Sequence, residues 1–202
     1  SLASAIDKCH FQSRDELLFS KIEETPYESN PITEWGVKYE DVAIMFYEEL
    51  FNVKVLDFGL IPHPTFEIFG ASPDGICEDT GNKEYIGRMV EIKCPPKRKF
   101  TKTVPHHYWL QVQGQLEVCD LEYCDFLECD FQMFKTKDDF FNDNKYSEKG
   151  IIIELYNTKL NKYNYYYGED KYYNDKELFE KWEESIINNI FENEDLELIT
   201  TT

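Results

Sequence analysis

Hydrophobic and polar positions divide this chain into segments of distinct period. Residues 1–25 carry Leu2, Ile6, Leu17, Leu18 and Ile22 with acids between them, which predicts helix. After a loop around Pro26 and Pro31, the run from Trp35 to Phe51 reads as a second helix. Placing successive residues 100° apart gathers Val37, Ala43, Ile44, Tyr47, Leu50 and Phe51 into one apolar arc. Glu40 falls near the middle of that arc, while Asp41, Glu48 and Glu49 lie off it. The stretch from Asn52 to Pro62 predicts a strand that pairs with Phe66–Gly70. Ala71-Ser72-Pro73-Asp74-Gly75 interrupts the pattern, and Gly81-Asn82 marks a turn. Arg88–Cys94 is a further strand candidate, ended by Pro95-Pro96. Period-two alternation there sets Val90 and Ile92 on one face and Glu91 and Lys93 on the other.

Pro105 opens the next helix at a favoured position. Trp109, Val112, Leu116 and Cys119 form its apolar stripe, and Tyr108, Gln111 and Gln115 share an adjacent face. Residues 121–134 alternate as a strand, and residues 135–149 read as a polar loop. Two more strands are expected at 150–156 and 162–168. Tyr163, Tyr165, Tyr166 and Tyr167 in the second read as a strand packed on one face rather than a base-stacking ladder. A last amphipathic helix covers 174–193, with Leu178, Phe179, Trp182, Ile186, Ile187 and Ile190 inward, before an acidic, frayed tail. Strand–strand–helix–strand in this order predicts a mixed sheet with a crossover helix.

Composition narrows the class. With 202 residues, 42% of them hydrophobic, the chain is long and apolar enough for one good-sized folded domain. No apolar run reaches the roughly 20 residues that span a bilayer, and no signal peptide is visible. A net charge of −19 argues against a nucleic-acid coat, because phosphate contacts need Lys and Arg. Basic residues nevertheless cluster locally as Arg88, Lys93, Lys97, Arg98, Lys99 and Lys102, followed by His106 and His107. Such a patch suits a DNA channel or a solvated loop. The six cysteines include no C-x-x-C pair, and Cys119, Cys124 and Cys129 have the wrong spacing for the usual iron–sulfur motifs. They read as free thiols in a reducing, intracellular compartment.

The chemistry concentrates between Asp74 and Gln115. Glu91 and Lys93 project side by side, and a hairpin could bring the Asp74 carboxylate to the same place. Two close carboxylates hold a hard divalent cation through oxygen. A lysine beside them can orient a water and offset charge on a phosphate, which together is metal-assisted phosphodiester hydrolysis. An ordinary surface Glu–Lys pair would give the same tripeptide. Glu40, centred on an apolar face, is costly unless something pairs with it, whether a buried lysine, a helix end or the same cation. The Gln111 and Gln115 amides can bond a water or a phosphate oxygen without adding charge; a solvated polar face is the alternative.

Ser72-Pro73-Asp74-Gly75, then Glu91-Ile92-Lys93-Cys94-Pro95, then Tyr108-Trp109-Leu110-Gln111-Val112-Gln113-Gly114-Gln115 resembles the PD-(D/E)xK nuclease superfamily. Within it, the pattern is similar to the YqaJ-type viral recombinase family, which includes the lambda exonuclease. The resemblance covers roughly residues 30–131, and Gly36-x-x-x-Glu40 agrees with it. It implies a restriction-endonuclease-like α/β fold, a mixed sheet flanked by helices. Residues 1–202 would form a single nuclease domain, with the catalytic core at about 30–131 and C-terminal strands and helix at 150–193. It implies Mg²⁺ or Mn²⁺ held by Asp74, Glu91, the Ile92 carbonyl and Glu40. Lys93 would act on the water, Gln111 would help hold it or a phosphate, and Tyr108, Gln111, Gln115, Lys97, Arg98, Lys99 and Lys102 would meet the DNA. The expected activity is 5′→3′ digestion of double-stranded DNA ends in viral or phage recombination and repair, by a monomer or a ring oligomer. A single-strand annealing protein is the implied partner for the product strand. An endonuclease with the same core, or an inactive module that keeps the fold, are the alternatives. Ser1-Leu2-Ala3-Ser4-Ala5-Ile6 reads as the tail of the family's Ser/Thr motif, and no 5′-phosphate pocket is assigned from it.

Overall fold

The structure, a computed structural model, describes residues 2–23, 30–97, 99–191 and 195–201. The chain divides into two compact units, Ser1–Phe131 and Gln132–Thr202.

The first unit opens with two helices where one was expected: α1, Leu2–Ala5, and α2, Arg14–Ile22. Asp7 in the left-handed region ends the first. Ser13 starts the second through a reciprocal cap with Glu16, each side chain bonding the other's backbone N–H. The long helix α3, Pro31–Phe51, begins four residues before Trp35, because Asn30 caps it by accepting from the Ile32 and Thr33 amides at 3.0 and 3.1 Å. Asn52 in the left-handed region closes it. Lys38, Tyr39, Ala43 and Tyr47 are buried along α3, whereas Val37 and Leu50, assigned to the inward arc, are exposed.

The single strand expected over 52–62 is two short ones, β1, Val55–Leu56, and β2, Ile61–Pro62. Asp57 Oδ1 accepts from the Gly59 amide at 2.8 Å, and Gly59 has φ +59°, so the chain turns between them. Phe66–Phe69 is likewise a turn, organised by His63 Nδ1, which accepts from the Thr65 and Phe66 amides. The pairing partner of β2 is therefore only β3, Gly70–Ala71.

The main sheet runs β1–β4–β5–β6, with β4 at Gly75–Cys77, β5 at Met89–Lys93 and β6 at Cys124–Glu128. β4 lies antiparallel to β1 and β5, and β6 lies parallel to β5. The β5–β6 connection is the expected crossover helix, α4, His106–Cys119. β6 is shorter than the alternation over 121–134 suggested. Met89, Val90, Glu91 and Ile92 are buried, which makes β5 the centre of this unit. Gly75 is required where β4 meets β1: a Cβ there would lie 2.1 Å from Val55 Cγ1.

In the second unit the polar stretch 135–149 contains a helix, α5, Lys137–Asn142, capped by Thr136. Its Phe140 packs with Ile151, Tyr172 and Phe179 in a buried cluster. Strands β7, Ile152–Asn157, and β8, Lys162–Tyr167, pair antiparallel as expected. α6, Lys176–Phe191, lays Ile186 against Ile153 and Leu155. The tail expected to fray forms β9, Leu196–Thr201, which pairs along the other edge of β7. Its alternation of apolar and polar residues is short enough for the acids around it to mask. Among the described residues no helix is long and apolar enough to cross a membrane.

Candidate active site

The site forms where β5 meets the turn before β4 and the inner face of α4. Asp74 stands on the turn directly before β4. Its Oδ2 accepts the Ile92 backbone N–H at 2.6 Å, which fixes the carboxylate beside β5. Glu91, one residue earlier, is fully buried at 0% exposure. A buried carboxylate needs partners for its lone pairs, and both its oxygens have them. Oε1 accepts from Lys93 Nζ and from Gln111 Nε2, the latter at 2.6 Å. Oε2 accepts from Gln115 Nε2 at 2.9 Å. Period two on β5 brings Lys93 to the face of Glu91, and the four-residue spacing on α4 brings both glutamines down onto it.

Gln115 differs from its expected role. It is buried, and its amide also donates to the Ser72 carbonyl oxygen at 3.3 Å, tying the Asp74 turn to Glu91. Its Oε1 is buried with no hydrogen-bond partner among the described residues. The apolar stripe assigned to α4 is displaced accordingly: Val112, Gln115 and Val118 are its buried residues, and Trp109 is half exposed. Tyr108 lies under Lys93, with Nζ 5.3 Å from the ring centre.

Charge is unbalanced here. Burial pushes the Asp74 carboxyl up to about 6, and the neighbouring Glu91 charge adds to this against Lys93 and the Ile92 amide. Glu40 on α3 is pushed up to about 7, by burial first and then by Asp74, with Lys93 opposing. Burial works to lower Lys93, but Glu91 and Asp74 outweigh it and hold the ammonium above its ordinary value. Three acids thus face one lysine, and two of them resist ionisation.

A divalent cation would supply the missing positive charge, and the all-oxygen donors Asp74 and Glu91 fit a hard one such as Mg²⁺. Among the described residues no three His, Cys, Asp or Glu side chains form a ready-made cage, so Glu40 is coupled to the pair by charge without completing a ligand trio.

Of the basic residues, Lys97, Lys99 and Lys102 are exposed on the segment that joins β5 to α4. Arg98 lies outside the described residues. Arg88 does not belong with them: it sits at the opposite end of β5, bonded to Asp125 at 2.8 Å between the rings of Tyr85 and Tyr123. Two positions escaped the sequence reading. The Ser72 carbonyl carries no side-chain signal, and Tyr47, which donates to Asp125 at 2.7 Å, read only as core.

The chain is similar to several known proteins. Residues 2–122 match the family model of the YqaJ-like viral recombinase domain. The chain is 34% identical over 156 residues to the uncharacterized protein R354 of Acanthamoeba polyphaga mimivirus, a match covering 67% of this chain and 28% of that protein. The chain thus spans little more than a quarter of this relative's length. The crystal structure of the alkaline exonuclease LHK-Exo from Laribacter hongkongensis superposes with a TM-score of 0.50 at 24% identity, covering 95% of this chain and 84% of that one. That likeness gives the fold as the restriction-endonuclease-like α/β class expected from the sequence.

Proposed function

Because this chain belongs to the YqaJ-like viral recombinase family, we propose that it is a metal-dependent DNA exonuclease that degrades double-stranded ends in the 5′→3′ direction. The observation that carries the proposal is the buried Glu91, held by Lys93, Gln111 and Gln115 beside the charge-strained Asp74 and Glu40. Asp74 and Glu91 would hold Mg²⁺ or Mn²⁺, with the Ile92 carbonyl and Glu40 as further oxygen donors. Such an ion makes its bound water more acidic and neutralises charge on the scissile phosphate. Lys93 Nζ and Gln111 Nε2 both reach Glu91 Oε1; with the ion bound, the ammonium would orient the attacking water and offset charge on the phosphate, and the amide would bond the water or a phosphate oxygen. Gln115 keeps Oε2 and holds the Asp74 turn in place.

Lys97, Arg98, Lys99 and Lys102, with Tyr108, would guide the duplex. This local patch lets a chain of net charge −19 approach DNA from one side. The viral mimivirus relative supports a role in viral recombination or repair, with an annealing protein taking the product strand. The test uses the protein with Mg²⁺, a linear duplex labelled at its 5′ ends, and a closed circle. Short labelled products from the duplex, with the circle intact, are expected. A nicked circle would replace the exonuclease with an endonuclease. Cleavage of neither, with Mg²⁺ or Mn²⁺, would leave a fold-retaining binding module.

A further inference from the structure

Cys94 and Cys129 stand opposite each other just beyond the site. The parallel ladder pairs Lys93 with Glu128, and the Cys129 N–H extends it by donating to the Lys93 carbonyl oxygen at 3.0 Å. One step further along, just past the ends of β5 and β6, the two cysteines come opposite each other. Strand spacing of about 4.8 Å falls within the Cα separation a disulfide accepts, about 4.4–6.8 Å. Their side chains interact, and neither cysteine is in a disulfide. Cys94 is buried, with Sγ 3.7 Å from the carbonyl oxygen of Tyr39, the residue before Glu40. Cys129 is half-buried beside the exposed Asp130 and is the thiol a reagent would meet first.

We propose that Cys94 and Cys129 form a reversible disulfide by exchange with a low-molecular-weight disulfide of the glutathione class, and that closing it switches the neighbouring site off. The effect on cleavage rests on the nuclease reading above. The Cys129 thiolate attacks one sulfur of oxidised glutathione, forming a mixed disulfide and releasing one glutathione thiolate. Cys94 then loses its proton and attacks Cys129 Sγ, releasing the second glutathione. Two cysteine thiols are oxidised, one glutathione disulfide is reduced, and the two protons leave on the two glutathione thiols. Closure draws Cys94 Sγ away from the Tyr39 carbonyl and toward β6. That pulls on the residues next to Glu40 and Lys93 together.

The test incubates the full chain with set ratios of reduced and oxidised glutathione. Free thiols are then alkylated in denaturant, and the peptides are mapped by mass. Cys94 and Cys129 should leave the alkylated pool together and reappear as one cross-linked pair lighter by two hydrogens. Cleavage should fall about tenfold or more and return with dithiothreitol. Cys129→Ser should keep its basal cleavage and lose the sensitivity, with Cys129→Ala as the second variant if serine disturbs folding. A stable glutathione adduct on Cys129 with Cys94 still alkylated would overturn the bridge. A complete bridge with unchanged cleavage would overturn the switch. The peptide map reads the bridge whether or not the reduced chain cuts DNA, so an inert reduced chain counts against the nuclease reading alone.

Discussion

Replacing Asp74 with asparagine removes one negative charge and keeps an oxygen to accept the Ile92 N–H. In the metal-free chain the Asp74 carboxyl is pushed from its ordinary 3.8 to about 6, by burial and then by Glu91. That rise is worth roughly 3 kcal/mol against the ionised form. The folded chain holds this proton more tightly than the unfolded chain does. Stability from Asp74 is therefore greatest where the carboxyl is protonated and falls as pH rises from about 4 through about 6. Asparagine cannot ionise and escapes the fall. Urea unfolding in EDTA should find Asp74→Asn more stable than the native chain by up to about 3 kcal/mol at pH 8, and by less than about 1 kcal/mol at pH 4. Cleavage with Mg²⁺ should drop by about a hundredfold or more, because an isosteric amide is a poor ligand for a hard cation. A variant less stable than the native chain at pH 8, or one with the same gain at both pH values, would refute the claim that Asp74 is electrostatically strained.

Three further outcomes follow from the geometry. Lys93→Ala should lose cleavage by at least about a hundredfold; it should also lose about 3 kcal/mol at pH 8, since Glu91 keeps its burial without its ammonium. A Lys93→Ala chain with native far-UV dichroism that cuts at the native rate would remove Lys93 from the chemistry. Gln115→Ala leaves Glu91 Oε2 and the Ser72 carbonyl without their shared donor; it should cost about 1–3 kcal/mol in denaturant and lower kcat with little change in KM for DNA, whereas a rise in KM alone would return Gln115 to the DNA surface. Gly75→Ala drives a methyl to 2.1 Å from Val55 Cγ1; a loss of about 1–3 kcal/mol in thermal unfolding is expected, and an unchanged Tm would mean β1 and β4 part freely.

The candidate face was legible because its signals are periodic and local. Alternation over Met89–Lys93 set Glu91 beside Lys93, and helical spacing set Gln111 beside Gln115. Their meeting was not legible, since it depends on how α4 crosses β5. Gln115 therefore looked like a surface amide when it is a buried tether. The same limit governs Glu40. Its place on an apolar arc marked it as unusual, but only the packing of α3 against the sheet brings it under the charge of Asp74. Short-range turn chemistry accounts for most misread elements. Asp57 with Gly59, and His63 with the Thr65 and Phe66 amides, break runs whose composition is that of strands. At the C-terminus, pairing along β7 turned an acidic stretch into β9, a long-range effect invisible to local pattern.

Single-turnover digestion of a linear duplex by the native chain and by Glu91→Gln, each with Mg²⁺ and with EDTA, bears most directly on the proposed chemistry. The native chain should cut in Mg²⁺ and not in EDTA. Glu91→Gln keeps the size of the side chain but not its charge, and should be at least about a hundredfold slower in Mg²⁺. Native cleavage that persists in EDTA, or a Glu91→Gln chain that matches the native rate, would contradict a metal-dependent site built on Glu91.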